Sequence, residues 1–153
     1  MLIVKLKRYT MITFKKIDET NYRDCFELYT PEQNTRSVDS VIWSLAEAFV
    51  NYADSRPFAI YNNEILIGYI LINISDNHYV IVNMLIDYKY QSKGFGRQAV
   101  AVAINYLKNT YNATQVSIPL DLDNIKARSF WESLGFKASR NIEDGYLFMR
   151  LSI

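Results

Sequence analysis

The chain has 153 residues, of which 50% are hydrophobic and 14% aromatic, and its formal net charge is +1. These values are typical of a single folded domain, 1–153, with one core, and they exclude an intrinsically disordered chain. No apolar run approaches the roughly 20 residues that span a bilayer, and no long basic run marks a nucleic-acid or membrane surface. One histidine and one cysteine cannot build a typical zinc site, so we expect no metal. The lone Cys25 fits a reducing compartment and predicts a cytoplasmic protein.

The first ten residues precede the first strand pattern and are interpreted as a candidate N-terminal extension, 1–10. Met11 is a second candidate for the start of translation, beside Met1. The short apolar run at 1–4 is followed by basic residues, whereas a signal peptide carries its charges before a longer apolar run. We therefore do not interpret this end as a secretory leader.

One strand pattern and two helix patterns come next. Thr20 is a candidate N-cap for the first helix, and Asp39 or Ser40 for the second. The three elements are predicted at 12–17, 21–29 and 41–52. The apolar residues of the second helix recur at helical spacing and are expected to face the core. They are Ile42, Leu45, Ala46 and Phe49.

A meander of three strands follows, and after it helix patterns alternate with strand patterns. Residues that tolerate turn conformations, at 62–64 and 76–78, separate the strands of the meander. The strands are predicted at 57–61, 65–74, 79–86, 115–120, 136–140 and 146–151, and the helices at 94–109 and 124–134. Gly135 is the expected C-terminal stop of the last helix. The order βααβββαβαββ predicts a mixed α/β domain.

The most informative stretch is the loop Gln91-Ser92-Lys93-Gly94-Phe95-Gly96-Arg97, which follows a strand pattern and opens a helix pattern. The first N–H groups of a helix have no partner inside the helix, and the helix dipole favours negative charge there. Glycines let the backbone approach a phosphate without a Cβ in the way. We interpret the loop as a pyrophosphate cradle. The alternative is an ordinary tight connection with Lys93 and Arg97 solvated.

Three kinds of phosphate ligand compete for this loop. A Walker-type loop needs a Gly-Lys-Ser/Thr ending, which the sequence lacks. Gly94-x-Gly96-x-x-Ala99 matches the dinucleotide fingerprint, but the polar stretch 87–93 separates the strand from the first glycine. The hairpin meander ahead of the loop also differs from a doubly wound sheet. Coenzyme A is the third possibility.

The wider run at 86–96, Ile-Asp-Tyr-Lys-Tyr-Gln-Ser-Lys-Gly-Phe-Gly, contains Gln-x-x-Gly-x-Gly. It resembles the signature of the GNAT superfamily of N-acetyltransferases, and is most similar to bacterial diamine and polyamine (spermidine/spermine-type) acetyltransferases. Segments 44–48, 57–61 and 67–69 are similar to the same subgroup. Asn124-x-x-Ala127-x-x-Phe130-x-x-x-x-Gly135-Phe136 resembles the superfamily's last helix and strand. The resemblance implies the GNAT fold, with a central, mostly antiparallel, twisted sheet of 6–7 strands and about four helices.

The resemblance also implies acetyl-CoA as co-substrate and direct transfer of its acetyl group to an amine in a ternary complex. In that picture the loop amides hold the pyrophosphate, and backbone groups at the end of the preceding strand pair with the pantetheine arm. Asn124 matches a family asparagine that contacts this arm, and it is equally a candidate N-cap for the last helix. The implied cofactor-binding residues are Met84, Leu85, Ile86, Gln91, Ser92, Lys93, Gly94, Phe95, Gly96, Arg97, Asn124 and Trp131.

The sequence departs from the family at its two best-known acid/base positions. Val82 stands where some relatives carry an acidic residue, and Trp131 stands where a tyrosine usually protonates the leaving thiolate. An indole N–H donates a hydrogen bond but is not a usable acid. Either positioning and water suffice, or the protein is a CoA-binding module with weak turnover. The catalytic residues are unassigned, and the candidates are Tyr79, Asn83, Asp121 and Tyr146.

The acceptor is predicted to be a primary amine of a small diamine or polyamine, with peptide, protein or antibiotic N-acetylation as alternatives. A polyamine is attracted to carboxylates, and four acidic residues lie on or between the two N-terminal helices, which cover the acceptor side in relatives. They are Glu27, Glu32, Asp39 and Glu47, and a solvated helix face is the other interpretation. Cys25 is interpreted as a core or boundary thiol. A homodimer through the strand at 146–149 is also expected.

Overall fold

The structure is a computed structural model that describes residues 10–35 and 38–153. The candidate N-terminal extension, except Thr10, lies outside the described residues. The strands are β1 (Ile12–Lys16), β2 (Ser55–Asn62), β3 (Ile65–Ser75), β4 (His78–Ile86), β5 (Gln115–Asp121), β6 (Lys137–Glu143) and β7 (Tyr146–Ser152). The α-helices are α1 (Tyr22–Phe26), α2 (Val41–Val50), α3 (Phe95–Tyr111) and α4 (Ile125–Ser133), and short 3₁₀ helices span Pro31–Thr35 and Tyr88–Tyr90.

The seven strands form one sheet in the order β1-β2-β3-β4-β5-β7-β6. β4 and β5 run parallel, and the other neighbouring strands run antiparallel. The parallel pair is connected through α3, as parallel neighbours require a long crossover. The predicted mixed α/β fold, with a mostly antiparallel sheet and four helices, is confirmed.

Apolar clusters cover both faces of the sheet. The α3-side core contains Ala99, Val100 and Leu107 of α3 together with inward residues of the central strands such as Ile118. The α1/α2-side core is smaller and contains Cys25, which is fully buried as a core thiol. These two cores fix which face each strand residue occupies, because neighbouring residues of a strand point to opposite faces.

The cap and the inward face predicted for the N-terminal helices need correction. Thr20 does not cap α1, because its hydroxyl donates to Asp18 at 2.6 Å and the cap position is Asn21. Ser40 does cap α2 and accepts from the backbone of Trp43 at 3.2 Å. Of the four α2 residues predicted to face the core, Leu45 packs against the α1/α2-side core, whereas Ala46 is exposed and Ile42 and Phe49 are 56% and 80% exposed. The sheet instead receives the buried residues Val41, Ser44 and Ala48.

A β-bulge in β4 is the feature of the sheet that positions the site. Ile81 pairs with Ile72 of β3 and Asn83 pairs with Leu71, so Val82 is the extra residue. Before the bulge, Ile81 packs into the α3-side core, and after it Leu85 packs into the α1/α2-side core. Ile81 and Leu85 are four residues apart and would lie on the same face of a regular strand. Because they lie on opposite faces here, the bulge exchanges the two faces of β4.

The two parallel strands separate soon after they meet. Within the described residues, β4 and β5 pair at one position, Val80 with Ser117, near the start of each strand. Towards Ile86 the strands diverge, so the edge of β4 that faces β5 is left without a strand partner. An unpaired strand edge offers N–H and C=O groups to a ligand.

Candidate active site

A cavity of about 450 Å³ opens where β4 and β5 diverge. Its walls come from the end of β4, the loop that follows, the first turn of α3, the face of α4 and the connection between α1 and α2. It is lined by Thr30, Glu32, Val38, Met84, Leu85, Ile86, Tyr90, Gln91, Ser92, Gly94, Phe95, Gly96, Arg97, Asn124, Lys126, Ala127, Phe130 and Trp131. We call this cavity the cleft.

The first turn of α3 lines the cleft with Gly94, Phe95, Gly96 and Arg97. Gly94 is the N-cap with a left-handed φ of 82°, and it supplies no side chain to cap the helix. The N–H groups at the start of α3 therefore have no intrahelical acceptor and are free for an anion. At Gly96 a Cβ would lie 3.4 Å from the ring of Phe130, so a side chain there would narrow the cleft.

A buried carboxylate holds the loop after β4 in place. Asp87 is 3% exposed and accepts from the backbone N–H of Tyr29 at 3.1 Å and of Lys89 at 3.0 Å. The backbone N–H of Tyr88 also donates to the carbonyl of Tyr29 at 2.9 Å. These bonds join the α1–α2 connection to the glycine loop, so the two walls of the cleft are positioned together.

A polar network crosses from the glycine loop to α4. The Gln91 amide donates to the carbonyl of Ile86 at 2.9 Å and to the hydroxyl of Thr30 at 3.2 Å. The Thr30 hydroxyl donates to Glu32, which also forms an ion pair with Lys126 of α4 at 3.2 Å. The Thr30 hydroxyl and, to a smaller degree, Lys126 hold the pKa of Glu32 below its usual value. Gln91 therefore braces the loop as well as lining the cleft.

The predicted cofactor-binding residues, apart from Lys93, line the cleft. Lys93 instead places its ammonium 5.9 Å from the ring centre of Tyr90. The Arg97 guanidinium donates to the Ser133 hydroxyl at 3.1 Å and so ties α3 to α4. Asn124 caps α4 by accepting from the backbone of Ala127 at 3.0 Å. Each of the last two predicted ligands thus has a structural role.

Trp131 is 8% exposed and forms part of both the core and the wall of the cleft. Its ring packs edge-to-face against Phe130 and Phe136, with centroid distances of 5.1 and 5.0 Å. Its indole is thus held by apolar packing, which suits a wall of the site rather than a proton donor.

The four catalytic candidates do not line the cleft. Tyr79 is buried, and its hydroxyl donates to the carbonyl of Tyr111 at 3.3 Å. Asp121 accepts from the backbone of Asp123 at 3.1 Å in the turn before α4, and Tyr146 is 48% exposed at the start of β7. Asn83 donates from its side-chain amide to the backbone carbonyl of Asp39 at 3.2 Å.

The four predicted acceptor-binding carboxylates are divided by the fold. Glu32 lines the cleft, whereas Glu27, directly after α1, and Glu47, on α2, are exposed. Asp39 precedes α2 and is held beside β4 through Asn83, one residue after the bulge. Partial burial raises the pKa of the Asp39 carboxyl above its usual value. Asp39 therefore has a carboxyl of increased basicity on the connection that Asn83 ties to β4, and, like the four catalytic candidates, it does not line the cleft.

The comparison with protein families shows to which family the chain belongs. A family model described as acetyltransferase (GNAT) family matches residues 17–136, which is more than half of the chain. The chain belongs to the GNAT acetyltransferase family. The predicted enzyme class, an acetyl-CoA-dependent N-acetyltransferase, and the predicted co-substrate are confirmed. No curated protein matches the sequence of this GNAT protein.

Solved structures share the fold at low sequence identity. One is the PaiA N-acetyltransferase from Thermoplasma acidophilum in complex with coenzyme A, with 16% identity, a TM-score of 0.70, and coverage of 94% of this chain and 99% of that one. A second is the spermidine N-acetyltransferase from Vibrio cholerae in complex with CoA and spermine, with 19% identity, a TM-score of 0.70, and coverage of 93% and 94%. A third is the ribosomal-protein-S18-alanine N-acetyltransferase from Escherichia coli, with 16% identity, a TM-score of 0.64, and coverage of 94% of both chains.

Two further observations concern the part of the GNAT protein that the structure describes. No three His, Cys, Asp or Glu side chains in it come together as ligands for a metal ion. No helix in it combines the length and the apolar character needed to cross a membrane.

Several residues that line the cleft were not predicted from the sequence. Phe130 lay in the quoted motif of the last helix but was not assigned to the site. Thr30 and Lys126 carried no local signal, because their roles come from contacts with Gln91 and Glu32 across the cleft. The remaining lining residues that were not predicted are Val38, Tyr90 and Ala127.

Proposed function

We propose that this GNAT protein binds acetyl-CoA in the cleft and transfers the acetyl group to a primary amine in a ternary complex. The observation that carries the proposal is that the uncapped first turn of α3 and the unpaired edge of β4 open into one cavity. The first suits the diphosphate of the coenzyme, and the second suits its amide-containing arm.

The backbone from Ser92 to Arg97 holds the diphosphate. Each charge-assisted hydrogen bond to a phosphate oxygen contributes roughly 1.5–3 kcal/mol. The pantetheine arm then lies along Met84, Leu85 and Ile86 and pairs with their free backbone groups. This arrangement brings the thioester to the bulge at Val82, where a backbone N–H stabilises the developing oxyanion.

The acceptor amine must lose a proton before it attacks. An amine with a pKa of ~10.4 is deprotonated at pH ~7.4 at a cost of about 4 kcal/mol. We assign Asp39 as the base, because it lies beside Asn83 next to the gap and burial raises its pKa. Its position on the α1–α2 connection substitutes for the carboxylate that is missing at Val82.

The reaction then needs no strong acid. After its first proton has passed to Asp39, the amine nitrogen bonds to the thioester carbon, the C–S bond breaks, and the second proton of the nitrogen passes through water to the leaving thiolate. A thiol has a pKa of ~8.5, so its thiolate is a good leaving group and water can protonate it. Trp131 contributes packing to the site, and positioning of the two substrates supplies much of the rate.

For the acceptor, we propose a small diamine or polyamine. Burial raises the pKa of Tyr69, and the nearby charges of Glu47 and Asp39 raise it further to a smaller degree, which places both carboxylates on the α1/α2 side of the sheet. Two carboxylates on one side favour a substrate with more than one positive charge. The spermine complex of the Vibrio cholerae enzyme is compatible with this class of acceptor.

The test is thiol release from acetyl-CoA in the presence of an amine panel. The panel contains monoamines, diamines, polyamines, amino acids, a peptide with a free N-terminus and an aminoglycoside. We expect diamines or polyamines to release the thiol faster than monoamines of equal length. Release with the peptide or the aminoglycoside alone would assign the enzyme to another acceptor class, and coenzyme binding without release would reduce it to a binding module.

Three other sequence-based expectations stay predictions. They are a single domain across 1–153, a cytoplasmic location and a homodimer through β7. Size-exclusion chromatography with light scattering tests the homodimer directly.

A further inference from the structure

A second cavity lies on the sheet face opposite α3. It has a volume of about 350 Å³ and is built on the paired residues Val80 and Ser117, where β4 and β5 still touch. Phe148 of β7 contributes an apolar wall, and the polar lining includes His78, Glu143 and Arg150. We call this cavity the β4–β5 recess.

Two oppositely charged side chains of the recess have no ion-pair partner among the described residues. Neither Glu143 nor Arg150 forms an ion pair with another described residue. Nδ1 of His78 lies 3.1 Å from the carbonyl of Asp76. A carbonyl can only accept, so Nδ1 carries the hydrogen in this contact, and in that tautomer Nε2 is the acceptor of the ring. The recess thus offers two acceptors for a cation and one guanidinium for an anion.

We propose that the β4–β5 recess binds the distal end of the acceptor, and that this end carries both an ammonium and a carboxylate. Glu143 and Nε2 of His78 accept from the ammonium, and Arg150 binds the carboxylate. The acceptor is then a diamine of the amino-acid type, an α-amino acid whose side chain ends in a primary amine.

The geometry of β4 connects the recess with the reacting end. Val80 of the recess and Val82 of the bulge are two residues apart on the strand, a distance of about 7 Å. A short alkyl chain covers this distance along the apolar edge formed by the two valines. The terminal amine then reaches the gap beside Asp39, where it attacks the thioester. This inference rests on the proposed function, whose acceptor class it narrows.

Arg150 is what separates this acceptor from a simple polyamine. A guanidinium repels the distal ammonium of a polyamine but binds a carboxylate with paired hydrogen bonds. One charge-assisted pair changes affinity by about tenfold or more. We therefore expect kcat/KM for L-lysine to exceed that for cadaverine, which is lysine without its carboxylate, by about tenfold.

The experiment measures kcat/KM for both amines with the wild type and with single variants. Arg150→Gln lowers kcat/KM for lysine about tenfold, mainly through KM, and does not lower it for cadaverine, whereas Arg150→Lys restores part of the loss. Glu143→Gln lowers it for both amines. Lys137→Gln is the matched control, because Lys137 pairs with Arg150 across the β6–β7 ladder but does not line the recess. Lys137→Gln is expected to change kcat/KM for neither lysine nor cadaverine. Mass spectrometry of the product places the acetyl group on the terminal amine.

Two results overturn the inference. One is a wild type that uses cadaverine as well as lysine, and the other is an Arg150→Gln variant with an unchanged preference. Acetylation of the α-amine would reverse the proposed orientation and overturn it too. If no amine is acetylated, calorimetry of L-lysine with the free protein decides the matter. If L-lysine binds to the wild type but not to Arg150→Gln, the inference about the recess stands while the proposed function fails. If L-lysine does not bind to the wild type, both are overturned.

Discussion

Asp39 is the residue whose replacement tests the mechanism most directly. Removal of a general base costs roughly 10²–10⁴ in rate, so we expect Asp39→Asn to lower kcat about 10²-fold or more at neutral pH. The base acts only when ionised, and burial raises its pKa. The ratio of wild-type to variant rates therefore shrinks as the pH falls through this raised pKa. Steady-state kinetics with one amine, from neutral pH down to the lowest pH at which the protein stays folded, measures the ratio at each pH.

Stability gives an independent signature of the same residue. A carboxyl with a raised folded-state pKa makes an unfavourable contribution above that pKa, which is relieved as the pH falls. Asp39→Asn is thus expected to be at least as stable as the wild type at neutral pH while it is less active. Glu47→Gln, on the same side of the sheet, is the comparison variant: it is expected to raise KM for the charged acceptor and to keep kcat, because Glu47 attracts the acceptor but takes no proton. Equal rates for Asp39→Asn and the wild type would remove Asp39 from the chemistry.

Cys25 illustrates a residue whose environment makes it inert. It is fully buried in the α1/α2-side core, and burial raises its pKa to about 11. Since the thiolate is the reactive form, we expect a thiol reagent to leave the native protein unmodified at pH 8 and to label one thiol in denaturant. The colour released by a disulfide reagent reports both states. Rapid labelling of the folded protein would contradict the burial of the Cys25 thiol.

Among the elements, α2 shows where periodicity misleads. Two stripes of this helix are apolar, and the pattern selected the one with the larger side chains. The sheet receives the other stripe, where the Ser44 hydroxyl and the Tyr69 hydroxyl lie 2.9 Å apart. Small side chains at Ser44 and Ala48 let the helix approach the sheet closely. Hydropathy alone does not encode this steric fit.

The two stripes of α2 respond differently to substitution. We expect Ile42→Ser to change the free energy of unfolding by less than about 0.5 kcal/mol, since Ile42 is 56% exposed. Ala48→Leu forces a larger side chain between helix and sheet and is expected to cost about 1–3 kcal/mol. Urea denaturation of both variants measures these values. A larger loss of stability for Ile42→Ser than for Ala48→Leu would show that the stripe with the larger apolar side chains packs against the sheet.

For the whole molecule, local patterns predicted the elements, whereas their arrangement in one mostly antiparallel sheet was predicted only through the family resemblance. Turn residues such as Asn63 and Asp76, both with positive φ, bounded the meander strands correctly. The gap between β4 and β5 depends on pairing between distant segments and on a bulge at Val82, and neither leaves a local pattern. For the same reason the glycine loop was predicted from its own residues, whereas the bridge from Thr30 through Glu32 to Lys126 was not.

Coenzyme binding couples the cleft to the stability of the whole chain. A ligand at 100 times its Kd stabilises the folded state by about 2.7 kcal/mol. For a chain of this size, that corresponds to a rise in Tm of roughly 5–10 °C. Gly96→Asp places a carboxylate where we propose that the diphosphate lies, while its Cβ meets the Phe130 ring at 3.4 Å and the Ile86 side chain at 3.9 Å, so we expect the fold to be retained.

Gly96→Asn is the control for Gly96→Asp, because it adds a side chain of the same size without the charge. We expect coenzyme A to raise the Tm of the wild type, to raise that of Gly96→Asn by a smaller amount, and to leave that of Gly96→Asp unchanged. Differential scanning calorimetry with and without the coenzyme gives the three shifts. An equal shift in Gly96→Asp and the wild type would show that the diphosphate lies elsewhere. Equal losses in both variants would show that steric crowding beside Phe130 acts, and not repulsion between negative charges.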